Sequence, residues 1–108
     1  MEKYIVVFIT YPQENERDAK ELAKKLVENK LAACVNIVEG INSVYFWQGN
    51  IEDDKEKLLI VKTKMELFEE LKQFVKQNHP YSVPEIIAMP IILGNEEYLK
   101  WLEESTKN

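Results

Sequence analysis

The chain has 108 residues, which fits one domain over residues 1–108, and 45% of them are hydrophobic, enough for a substantial core. Acidic residues outnumber basic ones, 19 Asp and Glu against 14 Lys and Arg, for a formal net charge of −5 at pH 7. This charge repels the phosphate backbone of a nucleic acid and no local basic stripe offsets it, so we expect no nucleic-acid partner.

The sequence predicts a cytoplasmic protein with no membrane partner. No apolar run approaches the length of about 20 residues that spans a bilayer, and the first apolar run, cut by Thr10 and Pro12, is too short for a signal peptide. Cys34 is the only cysteine, so no internal disulfide can form, and a free thiol suits a reducing compartment. The excess of lysine over arginine is typical of thermostable proteins, although the asparagine content argues against that interpretation.

The first half of the chain alternates strand and helix patterns. Residues 4–10 are a continuous β-branched and aromatic run, which predicts a central strand covered on both faces. From residue 14 to residue 29 the apolar side chains recur at helical spacing, at Ala19, Leu22, Ala23, Leu26 and Val27. Residues 31–38 return as a strand, which residues 41–47 continue after a bulge or bend at Gly40.

A long hairpin is predicted next. Residues 48–50 form its turn, and residues 51–64 form the returning strand. A hairpin of this length outruns the sheet of a small domain, so its far end, which carries Tyr45, Phe46 and Trp47, should project and contact another chain.

The second half of the chain predicts a helix, a strand and a final helix. Thr63 and Glu66 have the spacing of an N-terminal capping box, and an apolar helical stripe follows at Leu67, Phe68, Leu71, Phe74 and Val75. Residues 85–94 predict the fourth strand, in which Pro90 requires a bulge or a sheet edge. Asn95 can cap a short last helix.

The order β-α-β-β-α-β, followed by the short helix, predicts an α+β ferredoxin-like fold. Its two crossover helices cover one face of the antiparallel sheet. Since the strands are apolar at successive positions, the other face also requires cover, and we expect self-association through the sheet.

A stiff connector joins the second helix to the fourth strand. Pro80 and Pro84 steer the residues before them out of helical geometry. The connector holds an imidazole, a phenol and a carboxylate, at His79, Tyr81 and Glu85, within seven residues. This composition is compatible with a binding site and with a well-formed turn.

Several blocks, taken together, resemble the CutA divalent-cation tolerance family. They are LAACVNI at 31–37, YFWQGNI at 45–51, LLIVKT at 58–63, HPYSVPEII at 79–87, and the segments 94–98 and 101–102. The resemblance implies a cytosolic homotrimer of ferredoxin-like subunits, similar in architecture to the PII signal proteins and linked to tolerance of copper and other divalent metal ions.

Cys34 and His79 are the first candidates for metal ligands, because thiolate and imidazole select copper or zinc over magnesium and calcium. Glu56 is the third candidate, since two ligands do not make a tight site, and Glu85 or a neighbouring subunit could also contribute. We expect no obligatory cofactor, and Cu²⁺ or Zn²⁺ would exchange. Alternatively, Cys34 is a small buried hydrophobic residue and His79 a histidine at a helix end.

Two other classes of function are open. A nucleophilic enzyme could pair Cys34 with His79, but the sequence supplies no third orienting group, oxyanion loop or phosphate-binding glycine loop, so we expect no enzyme. A PII-like trimer that senses a small ligand or anchors a protein would have no physiological metal role. Candidate residues for its cleft are Lys62, Tyr81, Glu85 and Trp47.

Overall fold

The computed structural model describes residues 3–108. These residues form the strands β1 (Tyr4–Pro12), β2 (Cys34–Trp47), β3 (Asn50–Lys64) and β4 (Ile86–Pro90), and the helices α1 (Ala19–Glu28), α2 (Phe68–Asn78) and α3 (Glu96–Ser105). A 3-10 turn, Met65–Leu67, precedes α2.

The four strands form one antiparallel sheet in the order β2-β3-β1-β4. β1 and β3 occupy the centre, and each crossover helix joins two parallel strands that are separated by one intervening strand. The predicted ferredoxin-like α+β fold, with its long hairpin and extra C-terminal helix, is confirmed.

The core lies between the sheet and the helices α1 and α2. Side chains at the odd positions of β1 are buried against leucines of both helices, whereas those at the even positions are half-buried. β1 is therefore central, but within one chain only one of its faces is covered. We call the other side of the sheet the open face; its central apolar residues are Val6, Phe8, Leu58, Ile60, Ile87 and Met89.

The first helix is shorter than its apolar pattern predicts. It begins at Ala19, because the Asp18 side chain accepts a hydrogen bond of 3.0 Å from the backbone N–H of Lys20 and so caps the first turn. It ends at Glu28 with Asn29 as its C-cap, where the predicted helical pattern also ends. Val27, at the edge of the predicted stripe, is exposed.

Thr63 does not cap a helix, so the predicted capping box is wrong. Its hydroxyl instead donates a buried hydrogen bond of 2.6 Å to the carbonyl of Leu31. This bond holds the segment 31–33 beside β3, although the segment is not part of a strand. The chain turns at Lys30, which has a positive φ of 55°, and β2 starts only at Cys34.

The hairpin of β2 and β3 projects as predicted, since the molecule measures 44 Å along its longest axis and only 26 and 23 Å along the others. The bulge predicted at Gly40 is present: β2 carries one extra residue between Val38 and Ile41, and Gly40 has a φ of 72°. Because side chains alternate between the two faces of a strand, this residue moves Tyr45 and Trp47 onto the open face.

The fourth strand ends at Pro90, four residues earlier than predicted. β4 is an edge strand, where a residue without a backbone N–H is tolerated, so the edge expected from Pro90 is confirmed. The chain then leaves the sheet, with one last hydrogen bond of 2.9 Å from the N–H of Ile91 to the carbonyl of Tyr4.

The last helix lies at one end of the open face. Asn95 caps it as predicted, accepting a hydrogen bond of 3.0 Å from the N–H of Glu97. Tyr4 and Lys64, both at open-face positions, bind the Glu103 carboxylate at 3.1 and 3.2 Å. Across residues 3–108 we find no helix with the length and apolar character needed to span a membrane.

Candidate functional site

A cleft of about 430 Å³ opens at the end of the open face opposite α3. The hairpin, the end of β1 and the connector between α2 and β4 meet there. It is lined by Thr10, Tyr45, Trp47, Glu56, Pro80, Tyr81, Ser82, Val83 and Glu85. Four side chains that the sequence proposed for a site, those of Trp47, Glu56, Tyr81 and Glu85, are therefore in one place.

A buried carboxylate and a phenol form the centre of the cleft. The Tyr81 hydroxyl donates a hydrogen bond of 2.7 Å to one oxygen of Glu56, which is only 4% exposed. Burial, and then the hydrogen bond to Glu56, raise the pKa of Tyr81 well above its usual value of 10.0. The phenol therefore remains a proton donor to the carboxylate at neutral pH.

His79 lies behind this pair and is 7% exposed. Its Nδ1 accepts a hydrogen bond of 3.0 Å from the backbone N–H of Tyr81, so Nε2 carries the proton and donates to the carbonyl of Thr10 at 2.7 Å. Burial lowers the pKa of His79, although the bond to Thr10 and the charge of Glu56 oppose this shift. The imidazole is neutral, and a metal ion could bind it only by displacing one of these two bonds.

The position of His79 is fixed by aromatic packing as well. Its ring lies between those of Tyr11 and Tyr81, with centroid distances of 5.0 and 4.9 Å. The imidazole thus ties the connector to β1 and holds the backbone from which the Tyr81 phenol reaches Glu56. In this arrangement His79 is a positioning residue.

Cys34 and Lys62 lie at the other end of the open face, opposite each other on β2 and β3. Glu56 is six positions further along β3, a distance of about 20 Å at the rise of an extended strand. Cys34 instead lies near Tyr98 of α3, whose pKa is raised by burial and then by the neighbouring thiol. Lys62 donates a hydrogen bond to the side chain of Asn36.

The predicted metal ligands Cys34, Glu56 and His79 therefore do not converge within one chain. Among residues 3–108 no group of three or more His, Cys, Asp or Glu side chains is arranged to hold a metal ion. The separation also keeps Cys34 from using His79 of the same chain as a base, and it keeps Lys62 out of the cleft that contains Tyr81. One chain alone does not provide the metal site that its residue types predict.

The sequence reasoning missed a second tyrosine–carboxylate pair at the mouth of the cleft. The Tyr45 hydroxyl donates a hydrogen bond of 2.5 Å to Asp54, and this bond raises the pKa of Tyr45 to about 12. The sequence pattern indicates only a packing role for Tyr45 and no role in a site for Asp54. The available signal was the hairpin pairing, which sets Tyr45 opposite Glu52, two positions from Asp54 and on the same face.

Comparison with known proteins agrees with the fold and with the motif blocks. Residues 5–105 match the sequence profile of the family described as CutA1 divalent ion tolerance protein. The chain belongs to the CutA1 family. The divalent-cation tolerance protein CutA of Thermus thermophilus is 56% identical over 101 residues, which are 94% of this chain and 96% of that protein.

Other relatives extend this family likeness to plants. The chloroplastic CutA protein of Arabidopsis thaliana is 53% identical over 96% of this chain, which spans only 56% of that relative's length. The crystal structure of CutA1 from Oryza sativa superposes with a TM-score of 0.91 at 51% identity, covering 97% of this chain and 94% of the other. The CutA1 structure from Thermus thermophilus gives 0.90 at 55% identity, covering 96% and 99%.

The description of the family and the name of the Thermus thermophilus relative refer to tolerance of divalent ions and to no catalytic reaction. They also refer to different compartments, since one relative is called chloroplastic and another, from Archaeoglobus fulgidus, periplasmic. Membership of the CutA1 family is thus compatible with more than one cellular location.

Proposed function

We propose that this protein acts in tolerance of divalent metal ions, as a cytoplasmic homotrimer that binds Cu²⁺ or Zn²⁺ weakly in a cleft between subunits. The observation that carries the proposal is the match of residues 5–105 to the CutA1 divalent ion tolerance family. The function is one of binding, without catalysis, in keeping with the relatives' names.

The open face supports the self-association in this proposal. It carries apolar side chains on all three strands from β3 to β4, and two of them, Ile87 and Met89, are exposed. Phe46 and Ile51, near the tip of the hairpin, are exposed as well. Exposed apolar side chains grouped on one face favour contact with other copies of the chain. Light scattering after size exclusion should give a mass three times the 12.7 kDa of one chain, and a monomer at micromolar concentration would contradict the trimer.

The distribution of ligands on the open face supports a site shared between copies. Cys34 marks one end of this face and Glu56 the other, so these two side chains can meet only if they come from different chains. Together they would offer a donor set suited to copper or zinc. His79 would contribute mainly by positioning Tyr81 and Glu56, because both of its ring nitrogens are hydrogen-bonded.

Titration with Cu²⁺ and with Zn²⁺ tests this site. Cys34→Ser and Glu56→Gln should each weaken binding by about tenfold or more, since losing one of few ligands removes much of the affinity. Glu28→Gln, which changes an exposed carboxylate at the end of α1, is the matched control and should bind as the parent protein does. Unchanged affinity in both site variants would overturn the metal assignment.

The cleft itself favours a second candidate, a PII-like trimer that senses a small ligand or anchors a partner and has no physiological metal role. Its volume of about 430 Å³ and its aromatic lining are typical of sites for small organic molecules. In that case thermal unfolding should shift with particular metabolites and be indifferent to a chelator. A shift produced only by metal ions would exclude this candidate.

A further inference from the structure

We propose that the cleft binds a small organic ammonium ion, with the Glu56 carboxylate as its anionic partner. All the residues that carry this inference belong to one chain, so it does not depend on the proposed shared metal site.

Glu56 is a buried carboxylate with unused capacity for a cation. It forms no ion pair with any residue that the structure describes. One of its oxygens accepts the hydrogen bond from Tyr81, and the other receives none from residues 3–108. Every fully buried side-chain oxygen of residues 3–108 has a hydrogen-bond partner. The second Glu56 oxygen has none, so it is not fully buried, and we infer that it is accessible from the cleft that Glu56 lines.

A carboxylate held in this way favours a positively charged ligand. Burying a charge is costly unless it is paired, and a hydrogen bond from a neutral phenol compensates only part of that cost. An ammonium group that donates to the free oxygen of Glu56 would complete the pair. Such a charge-assisted hydrogen bond is about twice as strong as a neutral one.

The residues that line the cleft also favour a positively charged ligand. No lysine or arginine is among the lining residues, and Glu85 adds a second carboxylate. The neighbouring imidazole of His79 is neutral because burial lowers its pKa. Two aromatic residues, Trp47 and Tyr45, line the cleft, and aromatic rings attract cations to their π faces.

The size of the cleft favours an organic cation over a bare metal ion. About 430 Å³ lies within the range of small-molecule sites, about 300–1,000 Å³. The described residues provide no cluster of three or more metal-ligating groups, whereas Pro80 and Val83 supply apolar surface beside the carboxylates. The ligand expected from this lining has an ammonium group on a short apolar or aromatic body.

Isothermal titration calorimetry of the full chain, with EDTA in every solution, tests the proposal. The probes are phenethylammonium and 3-phenylpropanoate, which carry opposite charges on similar bodies. We expect only phenethylammonium to bind. Glu56→Gln should weaken its binding by about tenfold or more, and the control Glu28→Gln should leave it unchanged.

A second variant covers the possibility that the buried substitution disturbs folding. Glu85→Gln changes an exposed residue of the same cleft and should weaken binding by about twofold, because it reduces the negative potential. No binding of the amine up to about 10 mM, equal binding of the carboxylate probe, or full affinity in both cleft variants would overturn the proposal.

The ammonium group could also come from Lys62 of a second copy. In that case the amine and the lysine would compete, and Lys62→Met would bind phenethylammonium more tightly than the parent protein. Tighter binding to Lys62→Met would show that a lysine of a second copy, and not a free amine, occupies the cleft of the parent protein. Unchanged affinity for phenethylammonium would support the free amine. Since EDTA removes metal ions throughout, failure here is distinct from failure of the proposed metal function.

Discussion

His79 is the residue that the sequence makes most conspicuous, as the only histidine on a stiff connector, and its role is indirect. Both ring nitrogens are occupied, one by the Thr10 carbonyl and one by the backbone of Tyr81. The prolines beside His79 predict a rigid turn, and the turn is present. The partner on β1 could not be predicted, because Thr10 is 69 residues away in sequence and only the sheet brings it near.

The low pKa of His79 predicts a loss of stability in mild acid. The unfolded imidazole binds a proton below about pH 6.5, whereas the buried one does so only at lower pH, so the free energy of unfolding should fall as the pH drops below 6.5. His79→Gln should lose less between about pH 7.5 and about pH 5.5. Urea unfolding followed by circular dichroism measures both proteins, and equal losses would contradict the assignment.

A second acid-sensitive group is separable from His79. The pKa of Glu103 is lowered to about 2, first by the hydrogen bond from Lys3, so its contribution is lost only as the pH falls below its ordinary 4.5. Above about pH 5, the change in unfolding free energy with pH therefore reports on His79 and not on Glu103.

Tyr81→Phe should destabilise the protein by about 1–3 kcal/mol, because it removes the donor to a carboxylate that is almost wholly buried. Tyr45→Phe removes the same type of hydrogen bond at an exposed position, where water replaces the phenol, and should cost less than about 1 kcal/mol. Denaturant unfolding compares the two variants. Equal costs would show that Glu56 is not held by Tyr81.

At the scale of elements, sequence pattern predicts the number, type and order of strands and helices but not where they end. Helical spacing located α1, yet the helix begins at the Asp18 cap, later than the pattern suggests. The segment 31–33 has strand composition but lies outside the strand, since its contacts with β3 come from distant residues. Ends set by such long-range partners are not encoded in local periodicity.

Thr63 provides a test of this distinction. Thr63→Val removes the hydroxyl that satisfies the buried Leu31 carbonyl and should cost about 1–3 kcal/mol of unfolding free energy. Glu66→Ala, which removes the other half of the supposed capping box at an exposed position, should cost less than about 1 kcal/mol. If the two variants lost similar stability and both lost helical circular dichroism, capping would be the better account.

At the scale of the whole molecule, the length of the hairpin decides which residues can act together. Chemistry alone grouped Cys34 with Glu56 and His79, because their side chains suit copper or zinc. About 20 Å of β3 separates Cys34 from Glu56, and His79 is bonded to Thr10 of β1 near the Glu56 end of the sheet. The sequence therefore predicts the cleft residues of the connector and the hairpin. It does not predict that Cys34 and Lys62 lie outside the cleft, because that depends on the strand register.

A charge placed on the open face tests whether that face mediates self-association. Ile87 is 52% exposed on the open face, and Ile87→Asp should shift the mass in solution toward the 12.7 kDa of one chain, because an unpaired carboxylate is costly to bury. Val27→Asp, at a 42% exposed position on α1, is the matched control and should leave the mass unchanged. Dissociation of the control alone would assign the contact to the helical side.

The extra residue at Gly40 lets the hairpin accept a change in the length of β2. Removing Gly40 would leave Val38 opposite Leu58 and Ile41 opposite Glu56, so the hairpin tip would keep its register, and Tyr45 and Trp47 would stay on the open face. The part of β2 that precedes the bulge would keep its register with β3. A single-codon deletion at the bulge would therefore shorten β2 and still conserve the polar aromatic walls of the cleft.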